Sequence, residues 1–260
     1  MSNNSKTTFG HLLKMWRKKA ALSQQQLAFA AGTTPRHLSF IETGRSRPGR
    51  SIVLRLGQAL DLSIRNQNAL LVAAGFTPRF PERDLRDERT QPYLRAVESI
   101  LAQHEPNPGA AFNSLGCIVL VNRPFRTMFP DCLKLSPEQS VDVFFSPGPY
   151  RDRMENWAEV AWAWIDRQQH EVARTNNVEL ARLVERAMDH LREVERPESS
   201  QDSPDVIGPR FRVGDQVIRT FFTVMKFESA LEITLSELRI ELLFPLDDTA
   251  VEFFQALDYS

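Results

Sequence analysis

Apolar residues at helical spacing dominate the first third of the chain. Phe9, Leu13, Trp16 and Ala20 recur three or four positions apart, and basic residues occupy the opposite face. This period is typical of an amphipathic helix whose apolar stripe faces a core. Four further segments show similar patterns, so the sequence predicts five short helices between residues 9 and 76.

Cap residues and glycines mark where these helices begin and end. Ser23 is a good N-cap for the second helix, which ends at Gly32. The third helix follows Thr33 or Thr34 and has Pro35 in its first turn, where a proline loses no helical hydrogen bond. Because glycine tolerates the left-handed conformation that a sharp turn needs, the second and third helices are expected to cross steeply.

The second and third helices, together with the turn between them, carry a specific residue pattern. The pattern is Gln24, Ala28, Gly32, Leu38 and Ile41. A small residue lets two helices cross closely, the glycine makes the turn, and the last two residues hold the third helix against the core. The arrangement strongly resembles the helix-turn-helix of the Cro and phage-repressor family, and the resemblance covers about residues 9–76. It implies DNA binding; the alternative is a helical bundle that binds no DNA.

Roles in DNA binding follow for individual residues. The third helix, Thr34–Thr43, is expected to lie in the major groove, where the forked donors of Arg36 match guanine O6 and N7. Gln24 is expected to hold a phosphate at a helix N-terminus. Arg17 and Glu42 resemble the family's buried ion pair, in which the arginine also faces a phosphate. The other candidates are Thr34, His37, Ser39 and Phe40 for the groove, and Arg45, Arg47 and Arg50 for the DNA backbone. For each groove candidate the alternative is a phosphate contact or plain exposure.

Charge divides the chain at the end of this helical region. Residues 1–80 hold 12 basic and two acidic residues, a net charge of +10, whereas residues 81–260 hold 20 basic and 31 acidic residues, a net charge of −11. A basic module suits a polyanion, because each Lys or Arg that meets a phosphate releases counterions; a solvated basic surface is the alternative. We therefore predict a DNA-binding domain at 1–80, a Pro-containing linker at 81–92 and a second domain at 93–260.

The second domain is expected to be α+β, with an antiparallel sheet and flanking helices. Helical patterns lie at about Gln91–His104, Phe125–Phe129, Met154–Ala173 and Val178–Val194. Strand-like patterns lie at 110–121, at 211–227 around a Gly214–Asp215 turn, at Leu231–Leu235 and at Leu238–Phe244. The phase slips at Ser236–Glu237, which indicates a bulge or a break. The polar segment Glu195–Gly208 predicts a mobile loop.

Further stretches resemble the MmyB-like transcription regulators. They are Arg36–Arg45, Leu70–Phe76, His104–Pro108, Asn156–Trp157 and Leu238–Pro245. Members of this family pair the same helix-turn-helix with a C-terminal PAS-like ligand-binding domain. The resemblance implies a small apolar ligand, fatty-acid-like in character. The region after Asp131 departs from the family in showing little recognisable pattern.

The second domain also contains more large apolar side chains than a small core requires, which permits an apolar pocket. The candidates are Phe112, Val119, Val121, Phe125, Phe129, Phe144, Phe145, Trp157, Trp164, Phe221 and Met225. Their alternative role is to pack the core. Arg151, Arg153 and Asn156 are candidates to receive a carboxylate head group, with a solvated loop charge as the alternative.

Signatures of other functions are missing from the sequence. The chain has no phosphate-binding loop, zinc-protease motif or nucleophile elbow, and its five histidines are scattered. No cofactor is expected. Cys117 and Cys132 predict reduced thiols, with redox sensing as an alternative. A light-sensing domain that uses a flavin would need a reactive cysteine after Asn122, but the residue there is Arg123. Asn122 itself is expected to tie a turn.

These observations lead to one interpretation and two alternatives. We expect a bacterial transcription regulator that is ligand-responsive and binds double-stranded DNA as a homodimer, because such proteins bind two half-sites. The chain shows neither a signal peptide nor an apolar run of about 20 residues, so no membrane contact and a cytoplasmic location are expected. The alternatives are a second domain that binds a protein partner, and an enzyme tethered to DNA.

Overall fold

The computed structural model describes residues 9–198 and 207–257, which form two compact units. The first unit is made of the chain up to Glu82 and Leu231–Ile233; the second is made of Arg83–Ala230 and the chain from Thr234. Each unit has its own buried apolar core, as separate domains do. Most of the loop predicted at Glu195–Gly208 lies outside the described residues.

The first unit consists of helices, which confirms the predicted arrangement. They are α1 (Phe9–Lys19), α2 (Gln24–Ala30), α3 (Pro35–Glu42), α4 (Arg50–Ala59) and α5 (Ile64–Ala73). Ser23 caps α2 in a reciprocal capping box with Gln26, and Thr34 caps α3 ahead of Pro35. Gly32 takes a φ of +62°, the left-handed conformation that turns the chain from α2 towards α3.

The core of the first unit lies between the crossing helices. Leu13 of α1, Leu27 of α2 and Leu38 of α3 are completely buried in it. The backbones of α1 and α3 approach most tightly at Gly10, where a Cβ atom would lie 2.5 Å from the carbonyl oxygen of Glu42. Glycine is therefore required at this crossing, and the crossing sets the position of α3 on the surface of the unit.

The second unit is built on one antiparallel sheet with helices around it. Its helices are α6 (Gln91–Gln103), α7 (Arg123–Met128), α8 (Pro137–Phe145), α9 (Pro149–Asp152), α10 (Trp157–Thr175), α11 (Val178–His190), α12 (Ile233–Glu237, which begins in the segment assigned to the first unit) and α13 (Asp248–Leu257). Its strands are β1 (Gly109–Phe112), β2 (Ile118–Val121), β3 (Arg210–Val213), β4 (Gln216–Lys226) and β5 (Arg239–Pro245), in the order β2-β1-β5-β4-β3. The fold is α+β with a five-stranded antiparallel sheet, as predicted.

Alternation along β5 gives the two faces of the sheet different roles. Ile240 and Leu242 are buried in one cluster with Val97 and Leu101 of α6. Glu241 and Leu243 point to the opposite face, because successive strand residues alternate, and both line a cavity there.

Two parts of the second unit differ from the prediction. The strand predicted at Leu231–Leu235 is wrong, since Ile233–Glu237 forms a helical turn and Leu231 is 68% exposed. Three alternating apolar positions are too few to separate a strand from a short helix. The helices α8, α9 and α13 were not predicted, although Ser136 and Gln139 form a capping box at the start of α8.

Candidate functional site

The exposed surface of α3 carries the residues predicted to face DNA. Thr34 and Arg36 are exposed, and His37, Ser39 and Phe40 are half-buried. The Arg36 guanidinium lies 5.5 Å from the centre of the Phe40 ring. This contact holds the arginine over the helix surface while leaving its planar donors available.

Hydrogen bonds at the start of α3 engage two of these side chains. The Thr34 hydroxyl oxygen accepts from the backbone N–H of His37 at 3.2 Å. Nδ1 of His37 lies 3.0 Å from Oγ1 of Thr33. The imidazole is thus held through one nitrogen, and Nε2 is the atom that remains for a partner.

Behind α3 lies a buried network centred on Glu42. The Arg17 guanidinium donates to both carboxylate oxygens of Glu42, at 2.6 and 2.9 Å, and to the carbonyl oxygen of Leu22 at 2.9 Å. The Gln24 amide donates to the same carboxylate at 2.8 Å. The ion pair expected from the sequence is therefore present, and it includes Gln24 as a third member.

Charge and hydrogen bonding set the ionisation of this network. Burial alone would raise the pKa of Glu42, but the hydrogen bonds from Arg17 and Gln24 outweigh it, so the pKa is lowered. The hydrogen bond to Glu42 raises the pKa of Arg17. Glu42 stays ionised, and it ties α1 and the start of α2 to the end of α3.

The arginines after α3 differ in how they are held. Arg45 and Arg47 are exposed. Arg50 at the start of α4 donates to the backbone carbonyl of Thr77 at 2.9 Å. Arg50 is thus positioned within the first unit, whereas the other two extend from the loop between α3 and α4.

A partly open cavity of about 280 Å³ lies within the second unit, on the face of the sheet opposite α6. Its walls are mostly aromatic. Of the residues proposed from the sequence, Phe112, Phe125, Phe129, Phe144, Phe145 and Trp164 line it. Phe125 and Phe129 pack with ring centres 4.8 Å apart, and Phe129 stacks on Tyr150 at 6.0 Å. Contacts of this kind keep the walls of the cavity in place around a space large enough for a small molecule.

The remaining apolar candidates do not line this cavity. Val119 packs with α6 on the other face of the sheet, and Phe221 stacks on Phe244 at 5.3 Å. Met225 is 43% exposed. Val121 and Trp157 also lie outside the lining. Strand alternation explains the pattern on β4, where Phe222 faces the cavity and its neighbour Phe221 cannot.

The polar candidates for a head group are likewise absent from the lining. Asn156 ties two segments together, donating to the Gly208 carbonyl at 3.0 Å and accepting from the Arg210 N–H at 2.8 Å. The Arg151 guanidinium lies 3.9 Å from the centre of the Trp157 ring, and Arg153 is exposed.

Two opposite charges line the cavity instead. Among the described lining residues, Arg167 of α10 is the one cation and Glu241 of β5 the one anion. Nε of Arg167 is buried and has no hydrogen-bond partner in the described part of the chain, and the guanidinium lies 5.0 Å from the centre of the Phe222 ring. Burial lowers the pKa of Arg167, and the charge of Glu241 acts against that effect through space, without a hydrogen bond.

The sequence contained a signal for both charges. Val160, Trp164 and Arg167 are four and three positions apart on α10 and share its cavity-facing side. Glu241 is the one charged residue of β5 after its first residue, Arg239. A polar residue in phase with an apolar face is therefore the feature that sequence analysis overlooked.

Other polar groups in the second unit have structural or undefined roles. Asn122 is buried and accepts from the N–H groups of Gly109 and Phe125, as expected of a residue that ties a turn. Burial raises the pKa of Cys117, which disfavours the reactive thiolate, and Cys132 lines the cavity. Within residues 9–198 and 207–257, no group of three or more His, Cys, Asp or Glu residues is placed to hold a metal ion.

Comparison with known proteins agrees with this division of the chain. The profile of a helix-turn-helix domain family matches residues 8–70. The profile of the MmyB-like transcription regulator ligand binding domain matches residues 94–257, more than half of the chain. No curated protein matches the sequence. In the described segments, none of the helices combines the length and apolar character that a membrane crossing requires.

Proposed function

The chain belongs to the MmyB-like transcription regulators, and from this premise we propose that it binds a specific operator and responds to a small apolar ligand of fatty-acid-like character. The family makes it a DNA-binding transcription regulator with a ligand-binding domain. The observation that carries the ligand proposal is the aromatic cavity of about 280 Å³ in the second unit.

On DNA, α3 is the helix that enters the major groove. Arg36 and Thr34 are exposed on it, and a forked arginine matches the O6 and N7 acceptors of guanine. The guanidinium of Arg17 lies behind α3 and is held in orientation by Glu42. From there it contacts a DNA phosphate. Arg45 and Arg47 add backbone contacts next to α3, and these position the helix without reading sequence.

The amide of Gln24 contributes to this interface through the same network. Its NH₂ group is engaged by Glu42, and the Gln26 N–H is engaged by the Ser23 cap. The N–H groups of Gln24 and Gln25 are therefore the donors at the start of α2 that a phosphate would meet. A homodimer would place two such surfaces about one helical turn of DNA apart, which makes a two-fold symmetric operator the expected target.

The ligand domain works as a sensor of PAS-like form rather than as an enzyme. One face of the antiparallel sheet and the helices between β2 and β3 enclose the cavity, and most side chains that line it are apolar. Transfer of an apolar molecule from water into such a space is favourable, by about 25 cal/mol per Å² of surface removed from water. No cofactor or chemical step is needed for this role.

The test is native mass spectrometry of the purified full chain, followed by denaturing extraction. We expect an added mass of one small apolar molecule per chain. A variant in which Ser140, a lining residue of α8, is replaced by Trp should lose that mass, because the larger ring fills the cavity. The same substitution at Ser99, which lies on α6 away from the cavity, is the control.

Two results would contradict the ligand proposal. One is an empty wild-type chain that also fails to take up added apolar molecules, and this result favours a second domain that recruits a protein partner. The other is release of chemically altered molecules with repeated turnover, which favours an enzyme tethered to DNA.

A further inference from the structure

Arg167 is a cation whose guanidinium is partly buried, so water cannot reach all of its hydrogen-bond donors. Its Nε is buried without a hydrogen-bond partner in the described part of the chain, and the Phe222 ring covers one face of the guanidinium. Leaving a buried donor without a partner is unfavourable, because the group has lost its hydrogen bonds to water and gained none in return. Because Arg167 also lines the cavity, a bound molecule is one source of the missing acceptor.

Glu241 lines the same cavity and is a hydrogen-bond acceptor, whereas Arg167 is a donor. Its carboxylate lies on the cavity face of β5, close enough to act on Arg167 electrostatically but not hydrogen-bonded to it. A carboxylate only accepts hydrogen bonds. The cavity therefore offers one donor group and one acceptor group within otherwise apolar walls, and the two formal charges of the lining cancel.

We propose that Arg167 and Glu241 together receive the polar end of the ligand, and that this end is a neutral group that both accepts and donates a hydrogen bond, as the amide of an acyl amide does. The amide oxygen accepts from Arg167 and the amide N–H donates to Glu241. The aromatic walls hold the acyl chain. This inference rests on the proposed ligand-binding role of the cavity, and it adds the chemistry of the head group.

A free carboxylate satisfies only half of this site. It accepts from Arg167, but it offers no proton to Glu241 and carries the same charge as that residue, so the two repel in surroundings of low polarity. An ester is neutral and accepts, but it also lacks a donor. Of these three groups, only the amide can both accept a hydrogen bond from Arg167 and donate one to Glu241.

The experiment compares three probes with matched chains: decanamide, methyl decanoate and decanoate. Each displaces the fluorescent apolar dye N-phenylnaphthylamine from the full chain after extraction of any bound molecule, at neutral pH. We expect decanamide to bind about tenfold more tightly than methyl decanoate and than decanoate, which corresponds to about 1.4 kcal/mol. Equal binding of amide and ester, or tighter binding of decanoate, overturns the proposal.

Substitutions assign the preference to the two residues. Glu241→Gln keeps the size of the side chain and removes its charge, so the affinity for decanoate should rise and the margin of the amide over it should fall severalfold. Arg167→Met should weaken amide and ester alike by about tenfold; Arg167→Lys, which keeps the charge but not the fork, checks the result if the methionine variant misfolds. Arg151→Gln, outside the cavity lining, should leave all three affinities unchanged.

The outcomes separate this inference from the function on which it rests. If neither the dye nor any probe binds, the cavity is not a ligand site and both proposals fail. If the dye and all probes bind with equal affinity and the two cavity variants change nothing, the sensor role stands and the head-group inference is wrong. A severalfold smaller margin of the amide over decanoate in Glu241→Gln, with the Arg151 control unchanged, supports the inference.

Discussion

Replacing Glu42 by Gln should destabilise the first unit more than any ordinary surface change. The substitution keeps the shape of the side chain but removes the charge that faces Arg17. In the native network the exposed fractions of the two side chains are 11% for Arg17 and 2% for Glu42. Water therefore cannot replace what the carboxylate supplied.

The expected magnitude follows from the contacts that are lost. Glu42 accepts two charge-assisted hydrogen bonds from Arg17 and one hydrogen bond from Gln24. Removing one partner of a buried pair costs about 3–5 kcal/mol, because the other charge stays buried without compensation. The substituted amide would still offer one acceptor oxygen, so we expect a cost near the lower end, about 3 kcal/mol. The pair formed by Arg65 and Glu82 is far more exposed, so Glu82→Gln should cost less than about 1 kcal/mol.

Hydrogen exchange read by mass spectrometry is the suitable assay. It measures the free energy of opening for each helix, so the first unit is followed separately from the second. The amides of α1 and α3 should lose protection in Glu42→Gln and keep it in the Glu82 control. A loss below about 1 kcal/mol, or one equal to that of the control, would refute the reasoning that the charge pair is buried and mutually dependent. Replacing both Arg17 and Glu42 by apolar residues should restore much of the loss.

Three further predictions concern DNA binding, packing and pH. Arg36→Ala should cost about 1–3 kcal/mol and relax the preference at one base position, measured by anisotropy with selected operator duplexes and their single-base variants; unchanged affinity contradicts the role. Gly10→Ala should cost about 1–3 kcal/mol in protection of α1 because its Cβ would strike a carbonyl, whereas Gly49→Ala, where the added atom meets nothing within 4 Å, should cost less than about 1 kcal/mol. Burial lowers the pKa of His104 below its usual 6.5, so the unfolded chain binds the proton more readily and the stability of the second unit should fall as the pH drops below about 6.5. In urea titrations His104→Gln should flatten this fall, and the same change at the exposed His170 should not.

Local chemistry was sufficient to predict the helix-turn-helix unit. Ser23 and Thr34 mark the starts of α2 and α3, because their side chains accept hydrogen bonds from backbone N–H groups three residues later. Gly32 marks the turn because few other residues adopt its φ of +62° without strain. These are short-range effects, so the sequence contains them in full. Even the pairing of Arg17 with Glu42, 25 residues apart, was accessible through the resemblance to a known family.

The cavity of the second unit could be predicted only in part. The sequence indicated surplus aromatic residues, and several of them line the cavity. It did not separate Phe222 from Phe221, because which face of β4 meets the cavity depends on the register with β5. It also offered Arg151 as one of three candidates to receive a head group, whereas that guanidinium packs on the Trp157 ring.

The sequence by itself therefore determined the two domains' class, the helix-turn-helix and the residues on α3, because these depend on periodicity, caps and turns. Only the tertiary structure decided which charges share the cavity. Arg167 and Glu241 are 74 positions apart in the numbering, and they line one space because α10 lies over the face of the sheet to which Glu241 points. Burial and long-range proximity are properties of packing, and no local pattern specifies them.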